Sequence, residues 1–217
     1  MILGSCEDDT LRFEEIANSI THGIGVGLAV AALSLLVTFA ALEGDAWRVV
    51  SFSIYGATLI LLYLASALYH AFRSVRLKRF FKLLDHSAIL LLIAGTYTPF
   101  CLVTLRGGWG WSIFCIIWGL AVGGIIFKIL LIGRFPVIET LFYVAMGWLV
   151  LVATAPLLKA IPSLGLLWLG LGGFLYTGGV VVYLWKRLPF HHTIWHLFVL
   201  GGSTCHFFCI LWFVLPK

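Results

Sequence analysis

Apolar residues fall into seven long runs along this chain, at about residues 20–42, 49–72, 83–105, 111–132, 140–158, 164–185 and 193–215. Each run is close to the ~20 residues an α-helix needs to cross ~30 Å of hydrocarbon. Lipid offers no partner to a free backbone N–H or C=O. Runs of this length therefore become helices, which satisfy those groups internally. The connections are short polar stretches such as EGDAWR, RSVRLKRFFK and KRLPFHH, so neighbouring spans run antiparallel and side by side. The pattern predicts an all-α membrane protein, a seven-transmembrane helix bundle. A short acidic segment at residues 1–18 precedes a membrane domain over 19–217, with no room for a second domain.

Composition agrees. The chain has 217 residues, 62% hydrophobic and 11% charged, and a soluble domain of that length could not cover so much apolar surface. The net charge of +5 does not point to nucleic acid, because the basic residues sit in loops between apolar runs. Those near one side of the spans are Arg12, Arg73, Arg76, Lys78, Arg79, Lys82, Lys128, Arg134, Lys186 and Arg187. The other side holds Arg48, Arg106, Lys159 and Lys217. That bias predicts a cytoplasmic N-terminus and a C-terminus outside. Residues 1–18 carry Glu7, Asp8, Asp9, Glu14 and Glu15 and lack a basic stretch followed by an apolar one, so no cleavable signal peptide is expected. Cys6, Cys101, Cys115, Cys205 and Cys209 lack zinc-ribbon spacing and read mainly as small packing residues.

Polar side chains inside or at the ends of these runs are the functional suspects, because hydrocarbon disfavours them. His22 opens the first run, His70 ends the second, Asp85 and His86 open the third, and His192 and His196 open the seventh. Alternating spans bring all of them to one depth, the cytoplasmic part of the membrane on the orientation above. On a helix, His192 and His196 lie roughly 40° and about 6 Å apart, on one face. Such an H-x3-H pair can supply two metal ligands. The intervening Thr193, Ile194 and Trp195 include no Glu, so this is not the metalloprotease HExxH. Zinc takes neutral imidazole nitrogens, and its catalytic sites keep one position for water. These residues are read as a zinc site: His70, His192 and His196 as ligands, Asp85 holding or deprotonating the water, and Ser66, one turn from His70, beside it.

Other positions carry open readings. Glu15, Asn18, Thr21 and His22 share one helix face, as a polar network beside the site or as the cap of the first span. His206 returns to the face of His196 but ~15 Å deeper. It either bonds a neighbouring helix or serves a lipid pocket or proton relay. His86 is expected to face the headgroups, and Lys128 to snorkel to the interface. The stretch GTYTP at 95–99 predicts a kink that opens space near mid-membrane.

Four motifs resemble one family. They are E-x-x-N-x-x-T-H (Glu15, Asn18, Thr21, His22), S-x3-H (Ser66, His70), the LDHSAI-x-LLIAGTYTPF block from Leu84 to Phe100, and HHTIWHLFVLGGS-x-x-H ending at His206. Together they resemble the bacterial hemolysin III family, which is related to the progestin and adipoQ receptors, adiponectin receptors included. The resemblance implies a seven-helix bundle with a cytoplasmic N-terminus in the bacterial cytoplasmic (inner) membrane. It implies zinc on three histidines, matching His70, His192 and His196, with Asp85 on the water and Ser66 in the same constellation. The constellation is shared with alkaline ceramidases, which implies lipid amide hydrolysis and a membrane lipid as partner. The short N-terminal segment and lack of an extended tail depart from the receptors, so no protein hormone is carried over. Three functions follow as expectations: a zinc-dependent hydrolase of a lipid amide or ester influencing membrane lipid homeostasis, a non-enzymatic membrane-state regulator with structural zinc, or a pore-forming cytolysin. The family's name implies the last, although no charged stripe lines the spans.

Overall fold

The computed structural model describes residues 2–43, 45–130 and 136–216, with side chains described for 11–43, 45–130 and 137–216. The readings of Cys6, Glu7, Asp8, Asp9, Arg134 and Lys217 as side chains lie outside the described residues. Among the described residues there is no strand. Helices α1 (Ile2–Leu42), α2 (Ala46–Ala71), α3 (Val75–Pro99), α4 (Gly108–Leu130), α5 (Pro136–Gly147), α6 (Thr154–Ala160), α7 (Ser163–Leu184) and α8 (His191–Phe213) follow in order. They form seven spans long and apolar enough to cross a membrane. This is an integral multi-pass membrane protein.

Two of the spans are irregular. A π-helical turn, Phe100–Thr104, continues α3 past Pro99. Proline supplies no N–H to the helix ladder, and a widened turn absorbs the mismatch. The π turn begins directly after GTYTP, the stretch from which a kink is expected. A 3-10 stretch, Trp148–Ala153, joins α5 to α6 within the fifth span. Two boundaries differ from the hydropathy reading. The acidic segment is not separate from the first span, because α1 runs unbroken from Ile2. Most of RSVRLKRFFK is also helical, because α3 begins at Val75. Charge ends an apolar run without ending a helix, since Arg and Lys are good helix formers.

The helices pack as a ring in the order α4, α3, α2, α1, α8, α7, and α5 touches both α3 and α7. Helices α2 and α3 carry much of the core, including Phe52, Tyr55, Tyr63 and Leu90, each about 1% exposed or less. Apolar side chains on α4 and α7, such as Ile126, Leu167 and Phe174, face outward, where lipid covers them. Close approach depends on small residues. A Cβ on Gly25 would stand 2.7 Å from the Tyr63 ring, so glycine lets α2 lay that ring against α1. At one end, Asp45 caps α2 through the Trp47 amide at 2.9 Å and pairs with Arg48. Arg48 also donates to the carbonyls of Leu215 (2.8 Å) and Pro216 (3.1 Å), tying the end of α8 to the start of α2.

Candidate metal centre

The opposite end of the bundle gathers the histidines. His70 comes from the last turn of α2, and His192 and His196 from the first turns of α8. Their ligand atoms all lie within 4.8 Å of one another, and His70 and His196 are buried. Ring centroids of His70 stand 4.9 Å from His192 and 5.2 Å from His196. Helix α1 lies between α2 and α8 in the ring and supplies the surroundings. Its Glu15 Oε2 stands 3.4 Å from His70 Nδ1 and accepts from Lys78 Nζ of α3. Its Glu14 Oε1 accepts the His192 amide at 3.1 Å, capping α8 in place of a local side chain. That cap matters because Phe190, just before α8, has a left-handed φ of 54° and no side-chain cap bond. Asn18 Oδ1 accepts from Thr193 Oγ1 at 2.6 Å. Thr21 donates to the Ala17 carbonyl of its own helix and does not join the group.

His22 is closer to the centre than a flanking position. Its ring stacks on that of His196, with centroids 3.5 Å apart and planes 11° from parallel. Its ring also packs against that of Tyr63, with centroids 5.0 Å apart and planes at 76°. Asp85 and Ser66 line the same cavity as His192 and His196. Asp85 is 8% and Ser66 1% exposed.

The fit to a metal can be judged from the nitrogens. His70 Nε2 and His196 Nδ1 are buried without a hydrogen-bond partner, as is Ser66 Oγ, while His70 Nδ1 faces Glu15 Oε2 at 3.4 Å. Leaving such groups unpaired costs about 1–3 kcal/mol each, and a shared cation relieves that cost. Two zinc–nitrogen bonds of ~2.1 Å at a tetrahedral angle hold their nitrogens ~3.4 Å apart, so a pair at the 4.8 Å limit would have to close by roughly 1.4 Å. Three imidazoles with a carboxylate and a hydroxyl nearby are a zinc-type donor set. The residues fit the ion.

The centre separates two spaces. On one side is an open polar cleft lined by Glu14, Glu15, His70, Lys78 and His191. On the other is a cavity of about 170 Å³, largely apolar, running between α2, α3, α5, α7 and α8 as far as His206. His192 lines both. The cavity has room for roughly a dozen waters, or for a length of acyl chain.

Two sequence readings are corrected. His86 does not face headgroups: it lines the cavity, and its Nδ1 accepts from Lys128 Nζ at 3.1 Å. Lys128 does not snorkel: it is 6% exposed and pairs with Glu139 of α5. A buried charge in hydrocarbon needs its counter-ion, and Glu139 is the signal that span-by-span reading passed over. His206 bonds the Leu169 carbonyl of α7 at 3.2 Å, one of its two expected roles. Sequence reading missed Ser203, whose hydroxyl meets those of Tyr63 (2.8 Å) and Tyr176 (2.7 Å). Tyrosines inside apolar runs were the available signal.

Comparison with known proteins places the chain. The family model described as haemolysin-III related matches residues 11–207. Hemolysin-3 of Bacillus cereus is 54% identical over 203 residues, covering 94% of this chain and 93% of that protein. The hemolysin-3 homolog of Bacillus subtilis (strain 168) is 51% identical over 200 residues, covering 92% and 94%. The human monocyte to macrophage differentiation factor is 30% identical over 205 residues, covering 91% and 83%. No solved structure matches.

Proposed function

The chain belongs to the haemolysin-III related family, and we propose that it is a zinc-dependent hydrolase acting on a lipid amide or ester within the bilayer. The observation that carries the reading is the convergence of His70, His192 and His196 to within 4.8 Å at the mouth of a cavity that also exposes Asp85 and Ser66. His70, His192 and His196 would hold the ion. Bound zinc polarises a carbonyl and brings the pKa of a water down towards ~7. Asp85 accepts the proton that the attacking water gives up and returns it to the leaving group. Ser66, without another partner, orients Asp85 or the substrate. Glu15 would accept a hydrogen bond from the Nδ1–H of His70 and leave Nε2 for the ion, the carboxylate–histidine arrangement that fixes a ligand's tautomer. The apolar cavity holds the acyl chain and keeps bulk water from it. The bias of basic loop residues supports a cytoplasmic N-terminus and centre, and the setting would be the inner membrane of a bacterium.

The test is metal analysis of purified protein beside His70→Ala, His192→Ala and His196→Ala, with release of fatty acid or sphingoid base from a lipid panel. Stoichiometric zinc lost in the variants, with turnover in the wild type, supports the reading. Zinc content unchanged in the variants overturns it. A second reading has one observation in its favour: a metal on these residues would join α2 to α8 at this end, adding to the Tyr63–Ser203 bond that already links the two helices. Zinc is then structural, and the protein is a membrane-state regulator. Chelation that lowers thermal stability in a protein with no turnover at all selects that reading.

A further inference from the structure

The open cleft outside the metal centre carries more positive charge than its acids neutralise. It holds about 760 Å³ and is lined by the start of α1, the end of α2 with the turn after it, and the start of α8. Its carboxylates are already engaged. Glu15 meets Lys78 and His70, and Glu14 accepts the His192 amide beside the His191 ring. Lys78 is in turn taken up by Glu15. That leaves Arg12 of α1 and Arg73 of the turn after α2, which line the same cleft. Both residues are exposed, and neither guanidinium has a hydrogen bond or ion pair among the described residues. Both are open to whatever enters the cleft.

A guanidinium is a planar fork of donors that matches the oxygens of a phosphate. The place of the cleft says which phosphate. Cleft and cavity flank the metal centre, and His192 lines both. A ligand engaging both spaces has a polar end in the cleft and an apolar end among side chains such as Leu62, Ile89 and Val199. A phospholipid has that shape, with its ester carbonyls a few bonds from the phosphate. A neutral head would leave both guanidiniums without a partner. Arg76 and Arg79 of α3 are also exposed but line no part of the cleft, as expected of loop charges that only set topology.

We propose that the cleft is a phosphate subsite, in which Arg12 and Arg73 hold the headgroup phosphate of a glycerophospholipid whose acyl chain lies in the cavity. The ester carbonyl is then at the metal centre. Hydrolysis adds water across that ester and releases a fatty acid and a lysophospholipid. The proposal rests on the reading of the centre as a lipid hydrolase and names its substrate class. Binding of the phosphate does not itself require turnover.

The experiment is competition binding on the purified full chain in a non-ionic detergent. Radiolabelled dioctanoylphosphatidylglycerol is displaced by itself, by dioctanoylglycerol, which has the same esters and no phosphate, or by glycerol 3-phosphate. Wild type should prefer the phospholipid to dioctanoylglycerol about tenfold at low salt, and less as salt rises. The double variant Arg12→Gln, Arg73→Gln should lose that preference and keep its affinity for dioctanoylglycerol, which also reports an intact fold. The pair of lysine replacements, Arg12→Lys and Arg73→Lys, keeps charge without the fork and should retain part of it. Arg76→Gln with Arg79→Gln should retain all of it. Equal affinities in wild type, or a preference unchanged in the Arg12, Arg73 glutamine variant, overturn the subsite and leave the hydrolase reading with a neutral lipid. A preference lost equally in the Arg76, Arg79 variant assigns it to surface potential and also overturns the subsite. Displacement by glycerol 3-phosphate as strong as by the phospholipid overturns the lipid as source of the phosphate. Binding of neither lipid removes the lipid-site reading itself, whereas phospholipid binding by a protein that takes up no zinc removes only the metal reading.

Discussion

The imidazole of His22 lies flat on that of His196, with centroids 3.5 Å apart and planes 11° from parallel. The first and last spans are thus joined face to face at the centre, and neither His22 nitrogen has a hydrogen-bond partner. His22→Phe keeps a ring in the stack and should retain near wild-type zinc. His22→Ala opens a hole behind His196 and should cost about 2–3 kcal/mol, read as a lower melting temperature, with weaker zinc retention on dialysis.

Asp85 and Ser66 stand by the cavity without being in the ligand trio. Asp85→Asn should keep stoichiometric zinc while hydrolysis falls roughly 10²–10⁴-fold. Ser66→Ala should follow it more weakly. Metal content and turnover measured on the same preparation check this, and loss of zinc in Asp85→Asn would make it a ligand instead.

Glu15 serves two partners, His70 and Lys78. Glu15→Ala should weaken zinc affinity about 10–100-fold, the usual effect of removing a ligand's carboxylate partner. Lys78→Met should leave affinity within a few-fold, since Glu15 can still face His70. Titration with a competing chelator distinguishes the two.

Lys128 and Glu139 form a buried pair between α4 and α5, with side chains 7% and 12% exposed. Breaking one half strands the other charge. Lys128→Met alone should cost about 3 kcal/mol, and the double variant Lys128→Met, Glu139→Gln should recover most of it. Thermal unfolding in detergent provides the double-mutant cycle.

At the far end, burial pushes the Asp45 carboxyl up, but the Trp47 amide and the Arg48 guanidinium outweigh it and hold it below its ordinary value. A depressed folded pKa contributes stability that is present above the unfolded value and lost as pH falls through the folded one. Arg48→Met should therefore lower the melting temperature at neutral pH. The gap from wild type should narrow as acid protonates Asp45. A gap that is constant with pH would assign Arg48's effect to the Leu215 and Pro216 carbonyls alone.

Much of the centre was legible in the chain because its parts are local. S-x3-H and H-x3-H each place two groups on one face of one helix, and span alternation brings His70, Asp85 and His192 to one end. The role of Lys128 was not legible. A lysine near a span end reads as snorkelling unless its partner is seen, and Glu139 lies on another helix. The stack of His22 on His196 was hidden for the same reason, since ring orientation depends on how two helices turn about their axes.

What the sequence determined by itself is the helical membrane architecture and the level at which each polar group sits. Hydrocarbon requires every span to satisfy its own backbone hydrogen bonds, which a helix does even through a π or 3-10 turn, so length and hydropathy suffice. What only the tertiary structure decided is which side chains meet: Glu15 with His70, Glu14 with the His192 amide, His22 with His196, and His206 with the Leu169 carbonyl. Rotation and stagger of packed helices set those contacts, through glycines such as Gly25 and Gly172 and a few polar bonds, and hydropathy along one chain does not report them.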